Sequence, residues 1–136
     1  MGGPEMIVLD THILIWWLNN PRKLSKKAST AIAKAQKNYD IYVSSMSVWE
    51  LCMLVEKRKL ELKMGVDEWI KRVEDLSYVQ FVPVDNEIGI LSVKWGKTFH
   101  GDPADRIIAA TARKLEAHLV TADEKIRSFS SIETIW

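Results

Sequence analysis

Short runs of β-branched and aliphatic residues alternate with longer amphipathic segments, and no other feature of the chain restricts its fold as much. Residues 6–10, 41–44, 79–84, 118–121 and 132–136 read as strands. Helical spacing runs over residues 11–18, from a Ser25 cap to Lys37, and over 47–58, 66–76, 85–98 and 103–116, with a short helix at 123–128. Asn19-Asn20-Pro21 ends the first helix. No Asn-Gly or similar hairpin signal joins two strands, so the pattern predicts an α/β domain with a mainly parallel sheet and right-handed crossovers. At 136 residues the chain suits one domain, 1–136, large enough to bury a core without staples. Met1-Gly2-Gly3-Pro4-Glu5 is set apart as an extension outside the fold.

Composition removes several function classes. Hydrophobic residues at 47% and charged residues at 27% fit a soluble globular protein and argue against disorder. The lone Cys52 excludes an intramolecular disulfide and a cysteine-based zinc cluster. It shares a helical stripe with Val48, Leu51 and Val55, which predicts a small buried hydrophobe. Nothing in residues 1–5 resembles a secretory leader, and no apolar run approaches the roughly 20 residues of a membrane span, so a cytoplasmic location is expected. Six tryptophans exceed what a core of this size needs, leaving one or two for a partner surface. A net charge of +1 does not announce a nucleic-acid binder. The clusters Arg22-Lys23 with Lys26-Lys27, and Lys57-Arg58-Lys59, suit solvated helix ends as well as phosphate contacts.

Four acids stand where an open α/β sheet places its site, beyond the carboxyl ends of the strands. Asp10 ends the first strand, Glu50 lies within a helical turn of the second, and Asp123 follows the fourth by two residues. Asp105 shares its helix face with Ile108, Ala109 and Ala112, and therefore points inward. Each acid also has a purely local reading. Asp10 can cap the following helix, Ser47-Val48-Trp49-Glu50 and Thr121-Ala122-Asp123-Glu124 read as capping boxes, and Asp102-Pro103 is an N-cap and N1 pair. Convergence is what favours chemistry. Two carboxylates about 4 Å apart repel by roughly 4 kcal/mol at an effective dielectric of 20, so the group needs protons or a cation. Oxygen donors without cysteine or paired histidine suit Mg²⁺ or Mn²⁺ over Zn²⁺, and such ions partner phosphate.

These residues closely resemble the PIN domain, in particular the VapC-type toxin ribonucleases of bacteria and archaea. Ile7-Val8-Leu9-Asp10-Thr11-His12 resembles the family's opening strand and first acid. Ser47-Val48-Trp49-Glu50-Leu51 resembles the helix bearing its glutamate, His100-Gly101-Asp102-Pro103-Ala104-Asp105-Arg106 its third-acid segment, and Leu119-Val120-Thr121-Ala122-Asp123 the strand and turn of its fourth. The resemblance implies a three-layer α/β/α sandwich around a five-stranded parallel sheet. It implies endonucleolytic RNA cleavage with one or two Mg²⁺ or Mn²⁺ ions, leaving 3′-hydroxyl and 5′-phosphate ends. A homodimer and a cognate antitoxin that blocks the site are implied as partners.

Carried onto this chain, the resemblance makes Asp10, Glu50, Asp105 and Asp123 both the catalytic set and the metal ligands. Asp10 and Asp105 are the most direct ligands, Glu50 binds through water or orients the attacking water, and Asp123 completes the cage or holds a second ion. Thr11 and Thr121 either hydrogen-bond the carboxylates and their water or simply cap helices. Asp102 joins the surroundings of the site or, the better reading, caps the helix before Pro103. Arg106 pairs with an acid or touches substrate phosphate. His12 and His100 are secondary, having no metal-ligand spacing with another histidine, and His118 is structural.

Other readings fit less well. A haloacid-dehalogenase-like phosphatase needs a second aspartate where His12 stands, and a phospho-acceptor receiver needs an acidic pair after the first strand. No Gly-x-Gly-x-x-Gly follows a strand, which removes a dinucleotide-binding module. Within the family, a processing nuclease outside any toxin pair and an inactive RNA- or protein-binding module are the alternatives; the presence of all four acids opposes the inactive one.

Overall fold

The computed structural model describes residues 6–136; the five-residue extension expected at the N-terminus lies outside the described residues. Five strands, β1 (Ile7–Leu9), β2 (Ile41–Ser44), β3 (Val79–Val82), β4 (His118–Val120) and β5 (Thr134–Ile135), form one sheet in the order β3-β2-β1-β4-β5. Every pairing is parallel. Seven helices connect them: α1 (Thr11–Asn19), α2 (Lys26–Lys37), α3 (Ser45–Glu56), α4 (Val66–Glu74), α5 (Asn86–Lys94), α6 (Pro103–Leu115) and α7 (Glu124–Arg127). Short 3₁₀ turns follow α1 at Pro21–Lys23 and α5 at Gly96–Thr98.

The two-residue period of the strands divides the core into two layers. Ile7 and Leu9, with Ile41, Val43 and Val120, face a cluster built from Ile13, Leu14, Ala28, Ile32, Leu51, Trp69 and Val73. Val8 and Leu119 face the other side, where Ile108, Ala109, Ala112 and Ile126 pack with Phe99. The sheet is thus the middle layer of an α/β/α sandwich, buried on both faces, which is why its strands are almost wholly apolar. No helix among the described residues is long and apolar enough to cross a membrane.

Strand order reverses at β1: the chain moves outward through β2 and β3, then returns to the other side with β4 and β5. The crevice between the carboxyl ends of β1 and β4 is therefore the topological switch point. Asp10 N–H donates to the Val120 carbonyl there at 3.1 Å, fixing the position of the first acid against the last residue of β4.

Several boundaries differ from the sequence expectation. Pro83 cannot donate to a ladder, and β3 stops at Val82 rather than residue 84. The helix expected through residue 98 ends at Lys94 and passes into a tighter turn where Gly96 takes φ +53°. α3 starts at Ser45 with Ser44 as its cap, so Ser47 is not a capping residue. Its buried side chains are Ser47 and Leu51, with Leu54 packed on the core, while Cys52 is exposed. The expectation of a buried cysteine thus fails. Two stripes at helical spacing share Leu51, and the fold buries the one that carries Ser47. Of the tryptophans only Trp69 is buried, at 7% exposed; Trp16, Trp17, Trp95 and Trp136 are half-buried and Trp49 is 54% exposed.

Candidate active site

At the end of β1, Asp10 takes extended backbone angles and caps α1, its Oδ1 accepting from Thr11 N–H at 2.8 Å. Its other oxygen, Oδ2, accepts from the Thr121 hydroxyl at 2.7 Å. The carboxylate is only 6% exposed. Capping and site-building are therefore one arrangement here: the cap pins the carboxylate at the crevice.

Glu50 arrives from α3. Thr11 Oγ1 donates to Glu50 Oε1 at 2.5 Å and lies 2.8 Å from Ser47 Oγ. Since Thr11 spends its one proton on Glu50, Ser47 is the donor to Thr11. This buried relay links the start of α1 to α3, and it replaces the capping box read from Ser47 and Glu50. Ser47 is the residue that sequence reasoning missed, because a serine three places before a glutamate carries the same local signal in either role.

The remaining two acids stand at helix starts. Asp102 caps α6 by accepting from Asp105 N–H at 3.0 Å, as read from the Asp102-Pro103 pair. Asp105 occupies the first turn of α6. Asp123 is itself the cap of α7, accepting from Lys125 N–H at 2.8 Å, and so displaces Thr121 from the capping box expected there. Thr121 Oγ1 instead accepts from Asp123 N–H at 3.1 Å while donating to Asp10. One buried hydroxyl thereby ties the first and fourth acids together.

The four acids open into a common cleft lined also by His12, Trp16, Asp102 and Ala122. Its electrostatics are strained. Burial, followed by the negative charges of Asp10, Asp102, Glu50 and Asp123, pushes the Asp105 carboxyl up to about 8. Burial also raises Asp10, opposed by its bonds from Thr121 and Thr11, and raises Glu50, opposed by its bond from Thr11. Carboxylates that hold protons this firmly lack a countercharge.

Arg106 does not supply one. Its guanidinium donates to the carbonyls of His100 at 3.0 Å, Ser92 at 3.0 Å and Phe99 at 2.8 Å, and also to that of Gly96. In place of the expected pairing with an acid, these bonds form a staple that shapes the segment before α6. That staple holds His100 beside Asp105: its buried Nε2 lies 3.2 Å from Asp105 Oδ2. Ligand atoms of His100, Asp105 and Asp123 all fall within 4.8 Å of one another. His12 is exposed at the rim, and His118 pairs with Glu133 across β4 and β5 at 2.9 Å, away from the acids.

The donor set fits a divalent cation: it is oxygen-rich and short of positive charge, with ligand atoms of His100, Asp105 and Asp123 gathered at one point. Asp105 and Asp123, with His100, bring ligand atoms close enough together to hold it, while Asp10 and Glu50 line the same cleft beside them.

Comparison with known proteins agrees with this architecture. The PIN domain family model matches residues 7–132. Ribonuclease VapC22 of Mycobacterium tuberculosis is 34% identical over 122 residues, covering 90% of this chain and 90% of that protein. Among solved structures, DNA-bound VapBC from Salmonella typhimurium superposes with a TM-score of 0.67 at 18% identity, over 95% of this chain and 96% of that one. VapBC2 from Rickettsia felis, bound to a promoter DNA fragment, gives the same TM-score at 22% identity and the same coverage. With its sheet order, its acids at the switch point and a family match spanning nearly every described residue, the chain belongs to the PIN domain family.

Proposed function

We propose that this chain is a metal-dependent endoribonuclease, and that it is the toxin of a VapBC-type pair. The observation that carries the reading is the convergence of Asp10, Glu50, Asp105 and Asp123 on one cleft at the switch point of the sheet. The ribonuclease that shares 34% of its residues over almost the full length supports RNA as the substrate.

In this reading Mg²⁺ or Mn²⁺ is held chiefly by Asp10 and Asp105, with Glu50 and Asp123 completing the cage. When bound, the cation neutralises the acids, makes water more acidic and stabilises the charge that develops on the phosphodiester. The protein's own contribution is positional. Asp10 is clamped on both oxygens by Thr11 N–H and the Thr121 hydroxyl, so its direction is fixed before substrate arrives. Glu50 is held through Oε1, which leaves Oε2 to take a proton from the attacking water. The water oxygen joins phosphorus as the P–O3′ bond breaks, and the departing O3′ takes up a proton from solvent, giving 5′-phosphate and 3′-hydroxyl ends. Arg106 acts at a distance by stapling the segment that carries His100 and Asp102.

The antitoxin part of the proposal is supported by the VapBC complexes that share the fold. A homodimer belongs to the same proposal and is tested by sedimentation of the purified chain. The activity is tested by incubating total RNA with the wild type and with Asp10→Asn, in Mg²⁺ or Mn²⁺ and then in EDTA. Cleavage by the wild type alone, abolished by EDTA, is expected; equal cleavage by both proteins, or cleavage that survives EDTA, refutes the mechanism. Copurification of a small neighbour-encoded protein that suppresses cleavage separates a toxin from a processing nuclease.

A further inference from the structure

The cleft continues past its acids onto an aromatic strip. Trp16, half-buried, lines it one helical turn beyond the exposed His12 on α1. The His12 and Trp16 rings lie 6.2 Å apart at 56°. Trp136 adjoins Trp16 in turn, at 6.0 Å and 52°. None of these rings is stacked face to face on the next. Lys23 Nζ sits 5.7 Å from the centre of the Trp16 ring, and Arg22, Lys26 and Lys27 are exposed nearby in sequence. Lys26 and Lys27 also border a hollow floored by Ile135, the neighbour of Trp136. The strip therefore runs from a strongly negative cleft to a positive surface.

We propose that Trp16, flanked by His12 and Trp136, is a stacking platform for unpaired bases of a single-stranded RNA whose phosphates run past Lys23, Lys26 and Lys27. The inference rests on the ribonuclease reading and adds which side chains of this chain hold the bases and phosphates of the strand. The cleft of four acids, with its cation bound, engages only the phosphate at the point of cleavage, so the rest of the strand has to be held by contacts outside it. Aromatic faces beside cations are what sequence-tolerant binding of single strands requires, since every base offers a π-face. Bases in an A-form duplex are already stacked and cannot reach such rings. The charge of the surroundings favours RNA over an apolar protein segment.

The test uses the full chain carrying Asp10→Asn, which leaves bound RNA uncut, with Mg²⁺ present. The probe is a short single-stranded RNA with 2-aminopurine placed at successive positions, alone or annealed to its complement. Quenching at one or two adjacent positions of the single strand is expected, and none in the duplex. Adding Trp16→Leu, which keeps apolar volume without a π-face, is expected to remove the quenching and weaken binding about tenfold. Trp16→Phe restores both, and Lys23→Gln lowers the salt dependence of binding by about one counterion. Unchanged affinity and quenching in Trp16→Leu overturn the platform, which is also what a strip reserved for a protein partner would give. Equal loss in the Leu and Phe variants assigns Trp16 to packing and overturns it too. Cleavage of total RNA by the wild type is read separately, so the platform can fall while the ribonuclease reading stands.

Discussion

The Thr121 hydroxyl donates to Asp10 Oδ2 at 2.7 Å, joining two residues 111 positions apart across the crevice between β1 and β4. The same oxygen accepts from Asp123 N–H, so a single side chain sets the distance between the first acid and the turn that bears the fourth.

Thr121→Val keeps the shape and removes both bonds. A buried acceptor left without its donor costs about 1–3 kcal/mol, which urea unfolding at constant m-value should register. Because the hydroxyl orients a ligand rather than acting as one, Mn²⁺ affinity should fall by about 10- to 100-fold while some RNA cleavage persists. Wild-type metal affinity in this variant would show that the bond does not orient Asp10.

Stability of the metal-free protein should decline with rising pH. Asp105 keeps its proton to about 8, and Asp10 and Glu50 shift in the same direction, whereas the unfolded chain releases these protons near the ordinary value of about 4. Between those values the folded chain binds more protons than the unfolded one, so stability falls with pH across that window and levels off above it. In EDTA, Tm should be lower at about pH 8.5 than at about pH 5.5, once the rest of the chain is controlled for as described next. Mn²⁺ competes with those protons, so it should raise Tm more at the higher pH.

Asp105→Asn is the control and a prediction in its own right. The amide mimics the protonated acid and removes a charge that Asp10, Asp102, Glu50 and Asp123 all oppose. The variant should therefore be more stable than the wild type in EDTA at high pH, lose most of the pH slope, and gain little from Mn²⁺. Differential scanning calorimetry with and without the ion checks all three; a variant less stable than the wild type throughout would show that Asp105 contributes structure rather than strain.

Arg106→Lys should not substitute for arginine. The planar guanidinium reaches the carbonyls of Ser92, Gly96, Phe99 and His100 together, which a point-like ammonium on a thinner stem cannot do. The loss should exceed about 2 kcal/mol. Amide exchange should rise first in residues 96–102, and RNA cleavage should drop although the Arg106 guanidinium is spent on backbone carbonyls rather than on an acid. Protection unchanged in that segment would remove the stapling role.

Much of this molecule could be read from its residues in order. The alternation of apolar runs with helical spacing determined a parallel sheet covered on both faces, because each signal is carried within a few residues of the chain. Strand ends also located Asp10, Glu50 and Asp123, since a parallel sheet delivers them to one edge whatever their separation in sequence, while Asp105 was legible from the apolar face of its helix. Tertiary structure decided the rest. Ser47 and Cys52 lie on rival stripes of α3 that share Leu51, and only the approach of Thr11 selects the stripe that is buried. Thr121 serves Asp10 rather than a capping box because its partner comes from another strand. Arg106 finds carbonyls where charge alone suggested an acid, and thereby turns His100 toward Asp105. The raised proton affinity of Asp105 is the clearest case: it depends on burial and on the charges of Asp10, Glu50 and Asp123, which come from distant parts of the chain, beside that of nearby Asp102, and no local window of sequence contains that sum.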